Sequence, residues 1–435
     1  MSSVSVVPAA TGLRGAVEVP GDKSIAHRAL MLGAIADGDT VIRGFPGGAD
    51  NLATLAACRG LGVPIEEHGS EILIHGHGWD GLVAPPTTLD CGNSGTTMRL
   101  LAGLLAGRPF PSRLDGDASL RRRPMRRVLE PLGRMGATIR AEGTAGGAPL
   151  VVEGGLLHPT THELAVASAQ VKSALILAAL QAHGETSITE PARSRDHTER
   201  MIRAFGGRLD VRAEQVVVSG PQQLRGTTVS LPGDLSSAAF LIVAALVVPG
   251  SDLELRHVGL NPTRTGVLDV LAAMGAELDV SPTPAAETGE PVGTIRARTA
   301  TLRGTRIAGE MLVRAIDEFP ILCIAAACAS GRTEFADAAE LRVKESDRIA
   351  TMAEMLRTLG ATVEERPDGL VVEGPATFGG GRIASGGDHR VAMAATVAGL
   401  ISRAGVTIED AACADVSFPG FYETMARLTA RAEPR

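Results

Sequence analysis

Six segments of the chain repeat one design, and any fold for it must house six copies. Each begins with small polar or charged residues, runs through an Ala/Leu-rich helix of about three turns, and leaves through glycine into a β-branched strand. They are GDKSIAHRALMLGAIADGDTVIRG (21–44), NSGTTMRLLAGLLAGRPFPSRLDG (93–116), SAQVKSALILAALQAHGETSITEP (168–191), GDLSSAAFLIVAALVVPGSDLELRHV (233–258), IDEFPILCIAAACASGRTEFADA (316–338) and GGDHRVAMAATVAGLISRAGVTIEDA (386–411). These helices are apolar nearly all round, which places them among sheets rather than on a surface.

A second, amphipathic helix follows, with Leu and Met at i, i+3, i+4 and i+7 and a closing glycine, as in VLEPLGRMGATI (128–139), MIRAFGGRLDV (201–211), VLDVLAAMGAELDV (267–280) and MLRTLGATVEE (355–365). Two units end on near-identical strands, PLVVEGG (149–155) and GLVVEGP (369–375). The sixth unit reaches its second helix, FYETMARLTA (421–430), but no closing strand follows, while an orphan strand, LRGAVEVPG (13–21), stands at the other end. The economical expectation is that this N-terminal strand completes the sixth unit. The tripeptide PGD occurs at 20–22 and 232–234 and marks two crossings. They divide the chain into a domain of 21–232 and a discontinuous one of 1–20 plus 233–435.

Helix N-termini carry unpaired N–H groups and partial positive charge, so polar helix starts converging on one interdomain cleft would trap anions. The chain has 42 basic residues, yet only Lys23, Lys172 and Lys344 are lysine, and each falls at a polar start or in the charged stretch LRVKESDR (341–348). An ammonium differs from a guanidinium in size, hydrogen-bond geometry and capacity to shift its pKa. If 341–348 is helical, Lys344 and Arg348 stand one turn apart with Glu345 facing away. Like charges at that spacing repel unless an anion lies between them. Ser24 and Arg28 repeat the i,i+4 spacing, and LRRRPMRR (120–127) reads as a phosphate clamp or a solvated basic loop.

Composition excludes other classes. At 435 residues the chain exceeds one hydrophobic core. A net charge of −7 without a basic stripe argues against nucleic acid. Apolar runs such as AAFLIVAALVVPG (238–250) are too short to span a bilayer, and MSSVSVVPAATGLRG has no secretory pattern. Five cysteines lack CxxC spacing, and His75/His77 and His158/His162 sit in loops without acidic or thiol partners. The expectation is a cytoplasmic protein with reduced thiols, no metal and no organic cofactor.

GDKSIAHR, GNSGTTMR, GDASLRRRP, SAQVKSA, RDHTE, NPTR, IDEFP, LRVKESDR and GDHR stand in one order along the chain, and together they resemble the 5-enolpyruvylshikimate-3-phosphate synthase family, class II branch, from end to end. The resemblance implies an inside-out α/β barrel of two domains, each of three βαβαββ units with buried helices. It also implies a monomer that transfers the carboxyvinyl group of phosphoenolpyruvate to the 5-hydroxyl of shikimate 3-phosphate. By similarity, shikimate 3-phosphate meets Lys23, Ser24, Arg28, Ser168, Ala169, Gln170, Arg195, Asp317 and Lys344. Phosphoenolpyruvate meets Lys23, Gly95, Arg123, Gln170, Arg348 and Arg390, and Asp317, Glu345 and Lys23 are the catalytic groups.

The chain departs from relatives at Val416, where many carry lysine, at Ala26 in place of serine, and at Leu100 where some carry proline. Glycine at 95 implies inhibition by glyphosate at the phosphoenolpyruvate site. Two alternatives are a sister transferase acting on UDP-N-acetylglucosamine, disfavoured because GDASLRRRP lacks cysteine, and a non-catalytic anion-binding repeat protein, disfavoured by the presence of Asp317 and Glu345.

Overall fold

The computed structural model describes residues 3–286 and 288–430. The first helices of the repeats become α1 (Lys23–Ala34), α2 (Gly95–Leu105), α3 (Ala169–Ala179), α4 (Leu235–Val247), α5 (Phe319–Cys328) and α6 (His389–Ile401). Their apolar circumference is buried as expected: every residue of Leu235–Leu246 and of His389–Leu400 is buried. Burying a Leu, Ile, Val or Phe side chain gives about 1.5–3 kcal/mol, so these helices anchor each unit. Side-chain caps from Asp22, Ser94, Ser168, Asp234 and Asp388 start five of them, whereas α5 starts on Glu318 with Pro320 in its first turn.

Contacts divide the chain into two compact units. One comprises 21–232 with 285–290, the other 1–20, 233–284 and 291–435. The stretch 285–290 is an addition that a reading of two crossings does not contain. In the first unit the Asp22 N–H donates to the Pro232 carbonyl, and in the second the Asp234 N–H donates to the Pro20 carbonyl. Both copies of PGD therefore pair with the other copy's proline. Gly21 has to be glycine, since a Cβ there would lie 2.2 Å from the Gly44 carbonyl oxygen.

Each repeat builds its own sheet. The strand after the first helix is central, with a parallel strand on one side and an antiparallel strand on the other, which in the first five repeats belongs to a hairpin. In the second repeat Ser112–Asp115 lies between Leu89–Asp90 and Leu150–Gly154; in the fifth, Gly331–Phe335 lies between Arg306–Ile307 and Gly369–Gly374. The near-identical VVEG strands thus hold equivalent places. The six sheets are separate among the described residues and do not close into a continuous barrel.

The two ends of the chain correct the expectation for the orphan strand. Arg14–Glu18 pairs in parallel with Asp252–Gly259, so it belongs to the fourth repeat, not the sixth. The sixth is completed by Ser3–Val6, which runs antiparallel to Val406–Glu409. The first unit closes in the same manner, with Leu224–Arg225 and Thr228–Ser230 returning to pair with Ala36–Arg43. In both units the opening repeat borrows its parallel strand from a distant segment, which ties the first repeat to the last. Register explains the missed strand: SVSV is four residues of weak alternation, below what pattern alone separates from a tail.

Candidate active site

In the unit containing 21–232, the polar starts of α1, α2 and α3 hold the predicted residues. Lys23 opens α1, and its ammonium bonds the Asp50 carboxylate at 2.9 Å. One turn on, Arg28 is buried, and its guanidinium meets only neutral oxygens: Nε donates to Thr198 Oγ1 at 2.6 Å, Nη2 to Ser173 Oγ at 2.8 Å and Nη1 to the Ser24 carbonyl at 2.8 Å. No carboxylate pairs with it among the described residues. Burial pulls its pKa down to about 10, the carboxylates of Glu199 and Asp22 oppose that shift, and the Arg195 charge adds to it. A cation held in low dielectric without a counter-charge is poised to take an anion. Arg195 lies half-buried just before the helix His197–Ala204.

Ser94 caps α2, and Gly95 is the first helical residue. Gly95 faces guanidinium groups: a Cβ there would lie 2.7 Å from Arg99 Nη1 and 3.2 Å from Arg123 Nη1. Arg99 Nη1 donates to Gln170 Oε1 at 2.6 Å, and Gln170 Nε2 donates to Thr96 Oγ1 at 2.9 Å. Gln170 is therefore locked between α2 and its own helix α3, next to Ser168 at the cap and Ala169 at the first turn. Arg123 is buried and donates to Asn93 Oδ1.

In the other unit, Asp317 sits in a 3-10 turn (Ile316–Glu318) at the start of α5. Three cations converge on its carboxylate, Arg348 Nη1 at 3.6 Å, Arg390 Nη2 at 3.7 Å and Lys344 Nζ at 3.9 Å. Those are ion-pair distances, beyond direct hydrogen bonds. Arg390 instead gives Nη1 to the Asp317 carbonyl at 2.9 Å. Arg348 is 1% exposed, donates Nε to Asp388 at 2.8 Å and Nη2 to Glu345 at 2.7 Å, and its buried Nη1 has no acceptor among the described residues. Burial works against the Arg348 charge, yet Asp388, Glu345 and Asp317 outweigh it and raise the pKa. Burial lowers the Lys344 pKa against the pull of Asp317.

Several expectations need correction. The stretch 341–348 is not one helix: Ala339–Val343 is a 3-10 turn, Lys344 is extended, and the next helix begins at Arg348 with Asp347 as its cap. Glu345 does not face away but binds Arg348. Arg342 and Asp347 pair with each other and are structural, Arg342 also reaching Glu365. Lys172 is not part of an anion site: it is buried between Glu190 at 2.7 Å and Glu199 at 2.9 Å. Burial opposes its charge, but the two glutamates outweigh it and hold the pKa above the lysine range. Of the five arginines in 120–127, Arg121 is bound to Asp115 and Arg126 to Glu130, while Arg123 is turned toward Gly95. The histidines also differ, since His75 and His77 end a strand with His75 paired to Asp39 and Glu66, and His162 is buried in a strand. Val416 is half-buried in a 3-10 turn, and Ala26 and Leu100 are core residues.

Sequence reasoning missed Arg99, Asp50, Thr198, Ser173 and Asp388. Arg99 carried a signal, lying one turn from Gly95 on the same helix face. The others are 27 to 170 residues from the groups they hold, which no local pattern reveals. Among the described residues no cluster of three or more His, Cys, Asp or Glu could hold a metal ion. Among the described residues no helix is long and apolar enough to cross a membrane.

The profile of the EPSP synthase family, 3-phosphoshikimate 1-carboxyvinyltransferase, matches residues 7–425. A 3-phosphoshikimate 1-carboxyvinyltransferase of Halorhodospira halophila is 58% identical over 421 residues, covering 96% of this chain and 94% of the relative. One of Geobacter metallireducens is 52% identical over 431 residues, covering 99% and 100%. The solved EPSP synthase of Acinetobacter baumannii superposes with a TM-score of 0.86 at 46% identity, covering 98% of each chain. With the repeat architecture, the polar helix starts and the cations around Asp317 in place, the chain belongs to the EPSP synthase family.

Proposed function

We propose that this protein transfers the carboxyvinyl group of phosphoenolpyruvate to the 5-hydroxyl of shikimate 3-phosphate, releasing phosphate, with Asp317 and Glu345 as its proton-transfer groups. The named relatives support the activity, and the residue roles are carried over from the family resemblance, with the charge arrangement around Arg28, Arg348 and Asp317 in keeping with them. Both substrates are polyanions, and the observation that carries the reading is the convergence of Lys344, Arg348 and Arg390 on one carboxylate, with Arg348 Nη1 lacking an acceptor among the described residues. A buried donor left unpaired costs about 1–3 kcal/mol, a cost that an anionic ligand oxygen would remove.

By the resemblance, Arg28 with Ser24 takes the shikimate carboxylate, and the neutral oxygens around the Arg28 guanidinium suit it to an anion. Ser168, Ala169, Arg195 and Lys344 take the phosphate, and Gln170 meets the ring and phosphoenolpyruvate. Lys23, the Gly95 backbone, Arg123, Arg348 and Arg390 grip phosphoenolpyruvate. In the chemistry, the 5-hydroxyl oxygen bonds C2 of the enol as its proton passes to Asp317, and C3 gains a proton from Glu345. The tetrahedral ketal then returns a C3 proton to Glu345 and expels phosphate, which takes the proton held by Asp317, restoring the double bond and both carboxyl groups. Fixed cations stabilise the charge that builds on the transferred group. We further read the protein as a monomer with small-molecule substrates and no cofactor, and as cytoplasmic, the last in keeping with the free thiols of all five cysteines.

Phosphate release is the test. Purified protein with shikimate 3-phosphate and phosphoenolpyruvate should release phosphate and form the enolpyruvyl ether. Turnover with UDP-N-acetylglucosamine instead, or with neither acceptor, overturns the reading.

A further inference from the structure

Glu318 immediately follows Asp317 and is more deeply buried, at 1% exposure. It stands at the N-cap of α5 but makes no side-chain capping bond there. One carboxylate oxygen, Oε1, accepts the hydroxyl of Ser236, while Oε2 has no hydrogen-bond partner among the described residues. A half-satisfied carboxylate in the core destabilises the fold unless a nearby charge offsets it. One cation lies beside it: Arg390 Nη1 is 4.0 Å from Glu318 Oε1. Behind Ser236 stands Arg264, whose Nη2 donates to Ser236 Oγ at 2.6 Å and to Asp234 Oδ1 at 2.7 Å.

Arg390 therefore has two carboxylates to choose from. Its Nη1 is bound to the Asp317 carbonyl and faces Glu318, while its Nη2 stays 3.7 Å from the Asp317 carboxylate. Without the Glu318 charge drawing Nη1, only the bond to the Asp317 carbonyl would hold the guanidinium back from a direct two-pronged pairing with the Asp317 carboxylate, the geometry arginine favours. Such a pair would consume both the cation and the carboxylate that the proposed reaction uses.

We infer that Glu318 is a positioning residue that, braced by Ser236, Arg264 and Asp234, holds Arg390 off the Asp317 carboxylate and oriented toward phosphoenolpyruvate. The inference rests on the assignment of Arg390 to phosphoenolpyruvate made above. It gives a role to the NPTR and GDLSS motifs, whose Arg264, Asp234 and Ser236 form the bonded chain that ends on Glu318.

The test is steady-state kinetics of Glu318→Gln, a near-isosteric change that removes only the charge. The expected result is a rise of about tenfold or more in KM for phosphoenolpyruvate, equivalent to about 1.4 kcal/mol, with KM for shikimate 3-phosphate changed less than about twofold. A merely structural glutamate would lower the folded fraction and leave both KM values alone. Ser236→Ala, which removes the brace and leaves the charge, should move the same constant in the same direction by less, and stands in if the first variant does not fold. Unchanged KM for phosphoenolpyruvate in the folded variants, against an active wild type, overturns the inference and leaves the assigned reaction standing. An inactive wild type defeats the reaction itself.

Discussion

Gly95→Ala adds one methyl group to the N-terminus of α2, and the structure says what that methyl meets. Its carbon would lie 2.7 Å from Arg99 Nη1 and 3.2 Å from Arg123 Nη1. Arg99 must retreat by roughly 0.7 Å to reach ordinary van der Waals separation. Arg99 is anchored on Gln170 at 2.6 Å, so its retreat either stretches a charge-assisted bond of about 1.5–3 kcal/mol or drags Gln170 along. Because the neighbours are ends of flexible side chains rather than backbone, part of this relaxes. The expected loss for phosphoenolpyruvate is about 1.4 kcal/mol or less, a tenfold rise in KM at most. Glyphosate, a longer phosphonate amine, would meet both the methyl and the displaced guanidinium, and its inhibition constant should rise about a hundredfold or more. The wild type, with glycine, should be inhibited competitively with phosphoenolpyruvate. The assay is phosphate release, with KM and the inhibition constant measured for both proteins. Equal fold-changes in the two constants refute the steric reasoning, and a loss of thermal stability with neither constant altered would make Gly95 a packing residue only.

Asp317→Asn should cut kcat by about 10²–10⁴ while shikimate 3-phosphate, followed by calorimetry, binds within about threefold of wild type; retention of most activity would place the base elsewhere. Lys172→Met should destabilise the protein by about 3–5 kcal/mol in urea, because Glu190 and Glu199 remain buried without their cation. A loss below about 1 kcal/mol would contradict a structural triad. Native protein should present only Cys328 and Cys413 to a thiol reagent, slowly, since burial pushes them up to about 12 and about 11 respectively. Cys58, Cys91 and Cys323 are fully inside and should react only after unfolding; rapid reaction of three or more thiols counts against this packing.

Local pattern by itself determined the six buried helices, their capped polar starts and the succession of strands. Helix burial depends on which residues recur every three or four positions, and that information is contiguous in the chain. Gly95, Asp317 and the cations Arg348 and Arg390 stand in short motifs at helix starts, but it was the resemblance to a family, not the local pattern, that proposed their roles. What tertiary structure decided is pairing over distance. Arg14–Glu18 was legible as a strand, but its partner at Asp252–Gly259 is some 240 residues away, and nothing local distinguishes that partner from the sixth repeat. Lys172 carries the same charge as Lys23 and Lys344 at the same kind of position, yet Glu190 and Glu199 close over it and make it structural. Glu345 reads as facing away on an ideal helix, but the chain breaks at 344–347 and returns it to Arg348. A charge's role depends on the counter-charges within a few ångströms and on how far water is excluded, and both are set by segments that meet only when the chain folds.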